Sequence, residues 1–289
     1  MTANIIIILA CVPLYIANSF CDKIVSTINA NKYNYLYNLI KFIICSICAA
    51  LLLFFEDSIA FGVGGLICGI MCGIMYAVSK TVMLKGFEKT SVAFMILCHS
   101  SGMILPCILG HFFWNEPLSI ISLIGIILAI ISIVLLKNNG NEKSTFNIKG
   151  ILYGLVIFLT SAGVMIVQKI MGIYFENESV GLYNLYSFLI PAIILCFFIK
   201  PKALNISFKK DKKRIIACAA VSAVSLCVIS FVMTNLASRV PSVILFPLFN
   251  GLGIICVCIG SIFAFKEKLN GIKIIGLILG VFGLCMINL

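Results

Sequence analysis

The chain has 289 residues, of which 62% are apolar and only 11% are charged, whereas a typical soluble domain has about 25% charged residues. This composition excludes a water-soluble globular protein, because it cannot supply a polar surface. The formal net charge of +11 does not indicate a nucleic-acid-binding protein either, since the cations are few and widely spaced rather than gathered on one basic face. The remaining class is a polytopic membrane protein.

Ten apolar segments follow one another along the chain, each bounded by charges, Pro, Asn or Gly. They cover 3–21, 34–55, 60–84, 91–113, 118–136, 150–172, 180–199, 215–237, 241–264 and 271–288. Each is close to the length of about 20 residues that a membrane-spanning helix needs. Nine have no charge near their middle, and the second carries Lys41. The sequence therefore predicts an all-α integral membrane protein with ten transmembrane helices.

The basic residues mark one side of the membrane. The odd-numbered loops hold Lys23, Lys32, Lys85, Lys89, Lys137, Lys143, Lys149, the cluster Lys200 to Arg214, Lys266 and Lys268. The opposite side has Lys169 and Arg239, together with Glu56, Asp57, Glu116, Glu176 and Glu178. By the positive-inside rule, the odd-numbered loops are cytoplasmic and both termini lie outside. We expect the plasma membrane as the location.

The chain repeats itself. An offset of 151 aligns 91–138 with 242–289 without a gap, with 15 identities in 48 positions. Earlier in the chain, an offset of 146 aligns Lys23 with Lys169 and 37–39 with 183–185. The predicted domains are a five-helix repeat over 1–136, a cytoplasmic linker over 137–149 and a second five-helix repeat over 150–289. Because five is odd, the second repeat is inverted relative to the first, as in alternating-access transporters.

These repeated residues resemble the drug/metabolite transporter superfamily in its ten-helix form with two EamA-type domains. The resemblance is carried by the lysine that closes the first helix of each half and by the segment from Phe113 to Gly125, which begins Phe-Trp-Asn-Glu-Pro-Leu. The second half repeats that segment as Phe265-Lys-Glu-Lys-Leu and Gly276. The resemblance implies a secondary transporter that exports or exchanges amino acids, small metabolites, sugars or cationic drugs.

One departure from related transporters bears on the cargo. The four-helix small multidrug resistance proteins carry a glutamate eight residues before the lysine of their first helix. The matching positions here are Tyr15 and Ser161, and no Asp or Glu lies in the middle of a predicted span. Export of lipophilic cations in exchange for protons on a buried carboxylate is therefore not supported.

Polar stripes inside the spans are the candidate binding residues, because polar groups are costly in a membrane. In inverted repeats the site lies near the midplane where the halves meet. We predict that the cavity is lined by Tyr15, Asn18, Asn38, Lys41, Tyr183, Asn184 and Ser187, where Ser187 aligns with Lys41. Lys41 lies roughly 10 Å into its span at 1.5 Å per residue, where its ammonium can bind a substrate carboxylate or phosphate.

Two structural interpretations of Lys41 stay open beside binding: snorkelling to the cytoplasmic interface and an ion pair with Asp22. His99, in the middle of the fourth span, and Asp22 are candidates for coupling transport to a proton, the candidate coupling ion. A neutral His99 that bonds to a neighbouring helix is the simpler interpretation.

The 14 cysteines do not indicate a metal site. Cys45-x-x-Cys48 and Cys68-x-x-x-Cys72 lie inside apolar spans, where cysteine is a small apolar packing residue, so we expect neither a metal nor a cofactor. We do not expect an enzyme, because H-E-x-x-H, G-x-S-x-G and paired intramembrane Asp residues are absent. Glycine stripes at 65, 69 and 73 and at 276 and 280 allow helices to approach closely.

The sequence as a whole predicts an exporter of a small polar metabolite, such as an amino acid or a related carboxylate, that works by rocking its two halves. A carrier of sugars, nucleotide-sugars or lipid-linked sugars of the same superfamily is the alternative within transport. A non-transporting receptor or assembly factor is the alternative outside it. The expected partners are a small-molecule substrate and the lipid bilayer, not nucleic acid, and the chain is expected to be a monomer or a homodimer.

Overall fold

The structure, a computed structural model, describes residues 2–56, 59–87, 92–137, 148–198, 212–265 and 271–287. Within these ranges every regular element is a helix, and no strand is present. The helices are α1 (Thr2–Leu52), α2 (Val63–Phe87), α3 (Val92–Ser101), α4 (Ile104–Trp114), α5 (Ile120–Lys137), α6 (Ile148–Tyr174), α7 (Val180–Phe198), α8 (Lys212–Ala237), α9 (Ser242–Phe265) and α10 (Gly271–Ile287), with a short 3-10 turn at Leu53–Phe55. The all-α prediction is confirmed for these residues.

Helix α1 contains the first predicted span and most of the second, which ends in the 3-10 turn. Its 51 residues would extend about 77 Å if the helix were straight, more than twice the hydrocarbon thickness of a bilayer. The Lys41 ammonium nevertheless contacts Asn18 at 2.8 Å, although 23 residues of straight helix would separate them by about 35 Å. The chain therefore folds back within α1, so that the segment around Asn18 lies beside the segment around Lys41.

The fourth predicted span is divided into α3 and α4 by a turn at Gly102 and Met103. Pro106 has no N–H and so cannot complete the helical hydrogen bond to the carbonyl of Gly102. The Ser161 hydroxyl from α6 donates to the His99 carbonyl at 2.7 Å, and the backbone of α6 approaches so closely that a Cβ on Gly102 would lie 2.9 Å from the nitrogen of Ala162. A prolyl ring and a neighbouring helix thus interrupt α3–α4 at this point.

Among the residues that the structure describes, six helical segments are long and apolar enough to cross a membrane. They are Asn4–Asp22, Tyr35–Leu52, Val63–Met83, Ile148–Tyr174, Val180–Phe198 and Lys212–Ala237. Large apolar side chains on several helices face outward, such as Phe54 at 83% exposure and Phe197 at 85%, as expected of surfaces in contact with lipid. The chain is therefore a multi-pass membrane protein, while the count of ten spans and the inversion of the repeat stay predictions.

The helices form two compact units. The first unit contains Met1–Ile16, Lys85–Ile166 and Arg239–Leu289, and the second contains Ala17–Leu84 and Val167–Ser238. Each unit takes helices from both sequence repeats, and three of the boundaries fall within α1, α2 and α6. Spatial grouping therefore differs from the grouping of helices along the sequence.

The first unit is held together by packing among α4, α5, α9 and α10. Cys107, Ile126, Val243 and Ile255 form a buried cluster. The glycine stripe of α10 packs on α5, because the Ser132 hydroxyl donates to the Gly276 carbonyl at 2.5 Å. The expectation that this stripe allows a close approach is confirmed.

The second unit has a core built by α1, α7 and α8, with α2 packed along α7. Its buried cluster consists of Phe42, Cys45, Ala49, Phe188, Ala192, Leu195, Ala223 and Cys227. The glycine stripe of α2 faces α7: a Cβ on Gly69 would lie 2.9 Å from the carbonyl oxygen of Tyr183, and one on Gly73 would lie 2.8 Å from the Cβ of Ile190. Only a residue without a side chain permits this spacing between the two backbones.

Carboxylates from loops cap the N-termini of three helices. Glu178 accepts the N–H of Gly65 in the first turn of α2. Glu56 accepts the N–H of Gly181 in α7 at 2.7 Å, and Glu116 accepts the N–H of Ser242, the first residue of α9, at 2.6 Å. An acidic group at these positions satisfies unpaired N–H groups and interacts favourably with the helix dipole. Glu56, Glu116 and Glu178, three of the five acidic residues of the even-numbered loops, therefore have a structural role.

Candidate functional site

A charged cluster in the second unit brings helices α1 and α2 together around Asp22. The Asp22 carboxylate accepts a hydrogen bond from the Tyr37 hydroxyl at 2.6 Å and forms an ion pair with the Lys41 ammonium at 3.2 Å. The Lys80 ammonium lies 3.6 Å from the other carboxylate oxygen. We call Asp22, Lys41 and Lys80 the charged cluster.

Helical spacing and the fold-back of α1 explain why these groups meet. Asn18 and Asp22 are four residues apart, as are Tyr37 and Lys41, so each pair lies on one face of its helical segment. The two faces oppose each other, and the Asn18 side-chain oxygen accepts from Lys41 at 2.8 Å. The same oxygen accepts from the Ser222 hydroxyl of α8 at 2.5 Å, which ties a third helix to the cluster.

The three charges differ in their exposure. The Lys41 side chain is 0% exposed, whereas those of Asp22 and Lys80 are 34% and 18% exposed. Lys41 is thus enclosed by Asn18 and Asp22. Asp22 and Lys80 form the accessible side of the cluster, with two positive charges and one negative charge in total.

This geometry bears on the two structural interpretations of Lys41. Snorkelling requires the ammonium to reach the interface, yet Lys41 is fully buried and points to Asn18 and Asp22. The ion pair with Asp22 is present in the structure. A buried charge in a membrane requires such a partner, because an unpaired charge is costly there.

A second polar cluster contains only neutral groups. The Ser230 hydroxyl of α8 donates to the Asn184 side-chain oxygen at 2.6 Å, and the Gln168 amide of α6 donates to Ser230 at 3.4 Å. The Asn184 amide donates to the Val180 carbonyl within α7 at 2.9 Å. We call Gln168, Asn184 and Ser230 the amide cluster. It joins three helices of the second unit.

Two further predicted site residues lie near the thiol of Cys72. The hydroxyls of Tyr183 and Ser187 are buried; they interact with each other, but within the described part of the chain neither forms a hydrogen bond of regular geometry. Both interact with Cys72 of α2, which is a weak hydrogen-bonding group. Because most buried polar groups in proteins are hydrogen-bonded, these two weakly bonded hydroxyls are candidates to donate to a bound water or ligand.

Three aromatic rings pack beside these polar residues. Phe42 follows Lys41 in α1, and Phe188 follows Ser187 in α7; their ring centroids are 6.5 Å apart in a stacked arrangement. Tyr76 of α2 lies 6.1 Å from Phe42 and 6.0 Å from Phe188. We call these three rings the aromatic trio. They form an apolar layer next to the residues predicted to bind substrate.

The other predicted residues have different surroundings from the charged cluster. Tyr15 belongs to the first unit, where its ring packs edge-to-face on Phe249 at 5.4 Å. His99 also belongs to that unit, at the interruption between α3 and α4. Asn38 is buried in the second unit, next to Tyr37. The structure therefore brings together Asn18, Asp22 and Lys41, and separately joins Asn184 to its neighbours on α6 and α8.

Sequence reasoning missed Lys80, Ser222 and Ser230. Lys80 had a usable signal, because it lies inside the third predicted span, as Lys41 lies inside the second. Lys80 is near the end of that span, however, and a lysine in that position usually just flanks a membrane-spanning helix. Ser222 and Ser230 had no such signal, since serines occur in most of the spans and do not differ in sequence from ordinary packing residues.

No metal site emerges where the structure can be described: no group of three His, Cys, Asp or Glu side chains converges there. The cysteines of these regions are free thiols. Cys45 and Cys227 lie in the core of the second unit, in agreement with the expected packing role.

Comparisons with known proteins agree with this architecture. The model of the EamA-like transporter family matches residues 1–137 and again residues 148–289. A solved crystal structure of a protein matches with a TM-score of 0.80 and 12% identity, covering 99% of this chain and 96% of its own; at that identity it shows a common fold alone. No curated protein matches significantly. The family match covers nearly the whole chain and confirms the resemblance that its repeated residues suggest: the chain belongs to the EamA-like transporter family and is a membrane transporter of the drug/metabolite superfamily.

Proposed function

We propose that the protein is a secondary transporter that exports a small polar metabolite, such as an amino acid or a related carboxylate, by alternating access. The observation that carries the proposal is the charged cluster, in which two lysines surround one carboxylate inside the span region. Charges are rare in membrane spans and mark substrate or ion pathways. A site with more cations than anions favours a substrate with a carboxylate.

The buried hydroxyls of Tyr183 and Ser187, which lack hydrogen bonds of regular geometry, support a polar substrate. Hydroxyl groups that interact only with each other and with a thiol can donate to the polar groups of a solute instead. The aromatic trio supplies apolar contact in the same unit. Such a combination of apolar surface and a few polar groups is typical of small-molecule sites.

A nucleotide-sugar or lipid-linked sugar carrier is the second candidate, and Lys80 is the observation that favours it. That class of substrate carries a diphosphate, and an additional basic residue would suit it. Asp22, however, offsets one of the two lysines. The surplus of one positive charge matches a carboxylate better than it matches a group with two negative charges.

Proton coupling is part of the proposal. Asp22 directly follows the first predicted span, and it contacts the groups that we propose to face the substrate. If a proton drives export, Asp22→Asn abolishes the response of transport to an imposed pH gradient. A variant at His99 tests the other candidate in the same assay.

The direct test is uptake of radiolabelled amino acids and small carboxylates into inside-out vesicles that contain the protein. We expect uptake above that of vesicles without the protein, and competition by unlabelled carboxylates. Competition by organic cations but not by any carboxylate would refute the anion-binding site. A thermal-shift screen of the purified protein against metabolites, repeated with Lys41→Ala, identifies the substrate independently of transport.

A further inference from the structure

The two lysines of the charged cluster differ in their bonding. Lys41 is hydrogen-bonded to protein groups, whereas Lys80 is available to bind a solute. The Lys41 ammonium is fully buried and bonded to Asn18 at 2.8 Å and to Asp22 at 3.2 Å. The Lys80 ammonium is 3.6 Å from Asp22, longer than a hydrogen bond, and no closer acceptor is found among the residues that the structure describes. Lys80 is also partly exposed.

We propose that Lys80, rather than Lys41, binds the anionic group of the solute, and that the cluster selects a monoanionic carboxylate over a zwitterionic amino acid of equal size. This inference rests on the proposed function and narrows its substrate class. Lys41 and Tyr37 are positioning residues, because they hold the Asp22 carboxylate in place. Asp22 in turn holds Lys80 until a solute carboxylate contacts it.

The selectivity follows from the charges. Lys41, Lys80 and Asp22 together carry one net positive charge, so a monoanion makes the occupied cluster neutral. A zwitterion leaves the net positive charge unchanged, and a cation adds a second one. In surroundings of low dielectric constant, an uncompensated charge is strongly unfavourable. The order of affinity is therefore monoanion first, zwitterion second and cation last.

Three solutes with three carbons test this order at neutral pH: propionate, alanine and propylamine, with net charges of about −1, 0 and +1. The full-length protein in lipid nanodiscs is titrated with each at constant ionic strength, and its thermal stability is measured. We expect propionate to stabilise the protein at the lowest concentration and propylamine not to stabilise it. An alanine affinity equal to or higher than that of propionate overturns the inference.

Variants of Lys80 test the assignment to one residue. Lys80→Met lowers the affinity for propionate about tenfold to a hundredfold, as expected for a lost charge-assisted hydrogen bond, and abolishes the preference over alanine. Lys80→Arg keeps the preference, because it keeps the charge. Lys85→Met removes an exposed lysine from the last turn of the same helix and leaves both affinities unchanged.

The outcomes separate this inference from the proposed function. If the preference for propionate depends on Lys80 but no solute moves in vesicles, the proposed function fails and the anion site stands. If alanine is transported and binds more tightly than propionate, the proposed function stands and this inference fails. If Lys80→Met does not fold, Lys80→Arg and Lys80→Gln decide: a preference lost with arginine or kept with glutamine contradicts the assignment.

Discussion

In the ion pair between Asp22 and Lys41, the lysine is fully buried and the aspartate is partly exposed. This difference in burial predicts that replacing one or the other has a different effect on stability. Asp22→Asn leaves the Lys41 ammonium fully buried with neutral acceptors only, the Asn18 oxygen and the substituted amide oxygen, and with Lys80 as a nearby like charge. Leaving one charge of a buried pair without its partner costs about 3–5 kcal/mol in free energy of unfolding. We expect Asp22→Asn to reach that range.

Lys41→Met has a smaller expected effect. It leaves the Asp22 carboxylate with Tyr37 at 2.6 Å, with Lys80 at 3.6 Å and with one third of its side chain exposed. A carboxylate that keeps donors and solvent access loses on the order of 1 kcal/mol, close to the value of an exposed pair. Methionine also retains most of the lysine volume, so no large cavity forms.

The assay is unfolding of the purified protein by SDS in mixed micelles, for the wild type, the two single variants and the double variant. We expect the double variant to be more stable than Asp22→Asn alone, because it no longer buries an unpaired ammonium. Lys85→Met is the control for loss of a lysine. If Lys41→Met destabilises the protein as much as Asp22→Asn does, the unequal burial does not govern this pair and the reasoning is wrong.

Three further predictions follow from features of the fold. Gly69→Ala places a Cβ 2.9 Å from the Tyr183 carbonyl oxygen and should lower the free energy of unfolding by about 1–3 kcal/mol in the same assay. Gly271→Ala is the control: a Cβ there would meet no atom within 4 Å, so this variant should not be destabilised. Glu116→Gln removes the charge that caps α9 through the N–H of Ser242 and should cost about 1 kcal/mol, less at high salt. A reporter fused to the C-terminus should be found outside the cell; a cytoplasmic reporter would contradict the charge-based orientation.

Much of the fold was predictable because lipid imposes simple rules on sequence. An apolar segment of about 20 residues must satisfy its backbone hydrogen bonds internally, so each of the apolar segments corresponds to helix where the structure describes it. Two consecutive spans over 3–21 and 34–55 already predict that the chain reverses between them, but not that Asn18 contacts Lys41 across the reversal. At the turn near Gly102 the sequence shows Pro106, but not the approach of Ser161 to His99.

The candidate site was predictable where charge marked it. Lys41 stands out as a lysine inside an apolar segment, and four-residue spacing connects Asn18 to Asp22. The role of Lys80 depends on the fact that Lys41 is already hydrogen-bonded to Asn18 and Asp22. Only the three-dimensional structure shows these contacts. For the same reason the sequence could not show that Tyr15 lies in a different unit from Lys41.

One chain with two repeats can differ between its repeats, whereas an assembly of two identical single-repeat chains cannot. The charged cluster and the amide cluster illustrate this difference. At the sequence offset of 146, Asp22 aligns with Gln168 and Lys41 aligns with Ser187, so the charged residues of one half have neutral counterparts in the other. Two identical chains would be obliged to carry the charges twice. A single chain with two halves can retain a charge in one copy and a neutral hydrogen-bonding group in the other. Its two halves therefore need not present the same chemical groups.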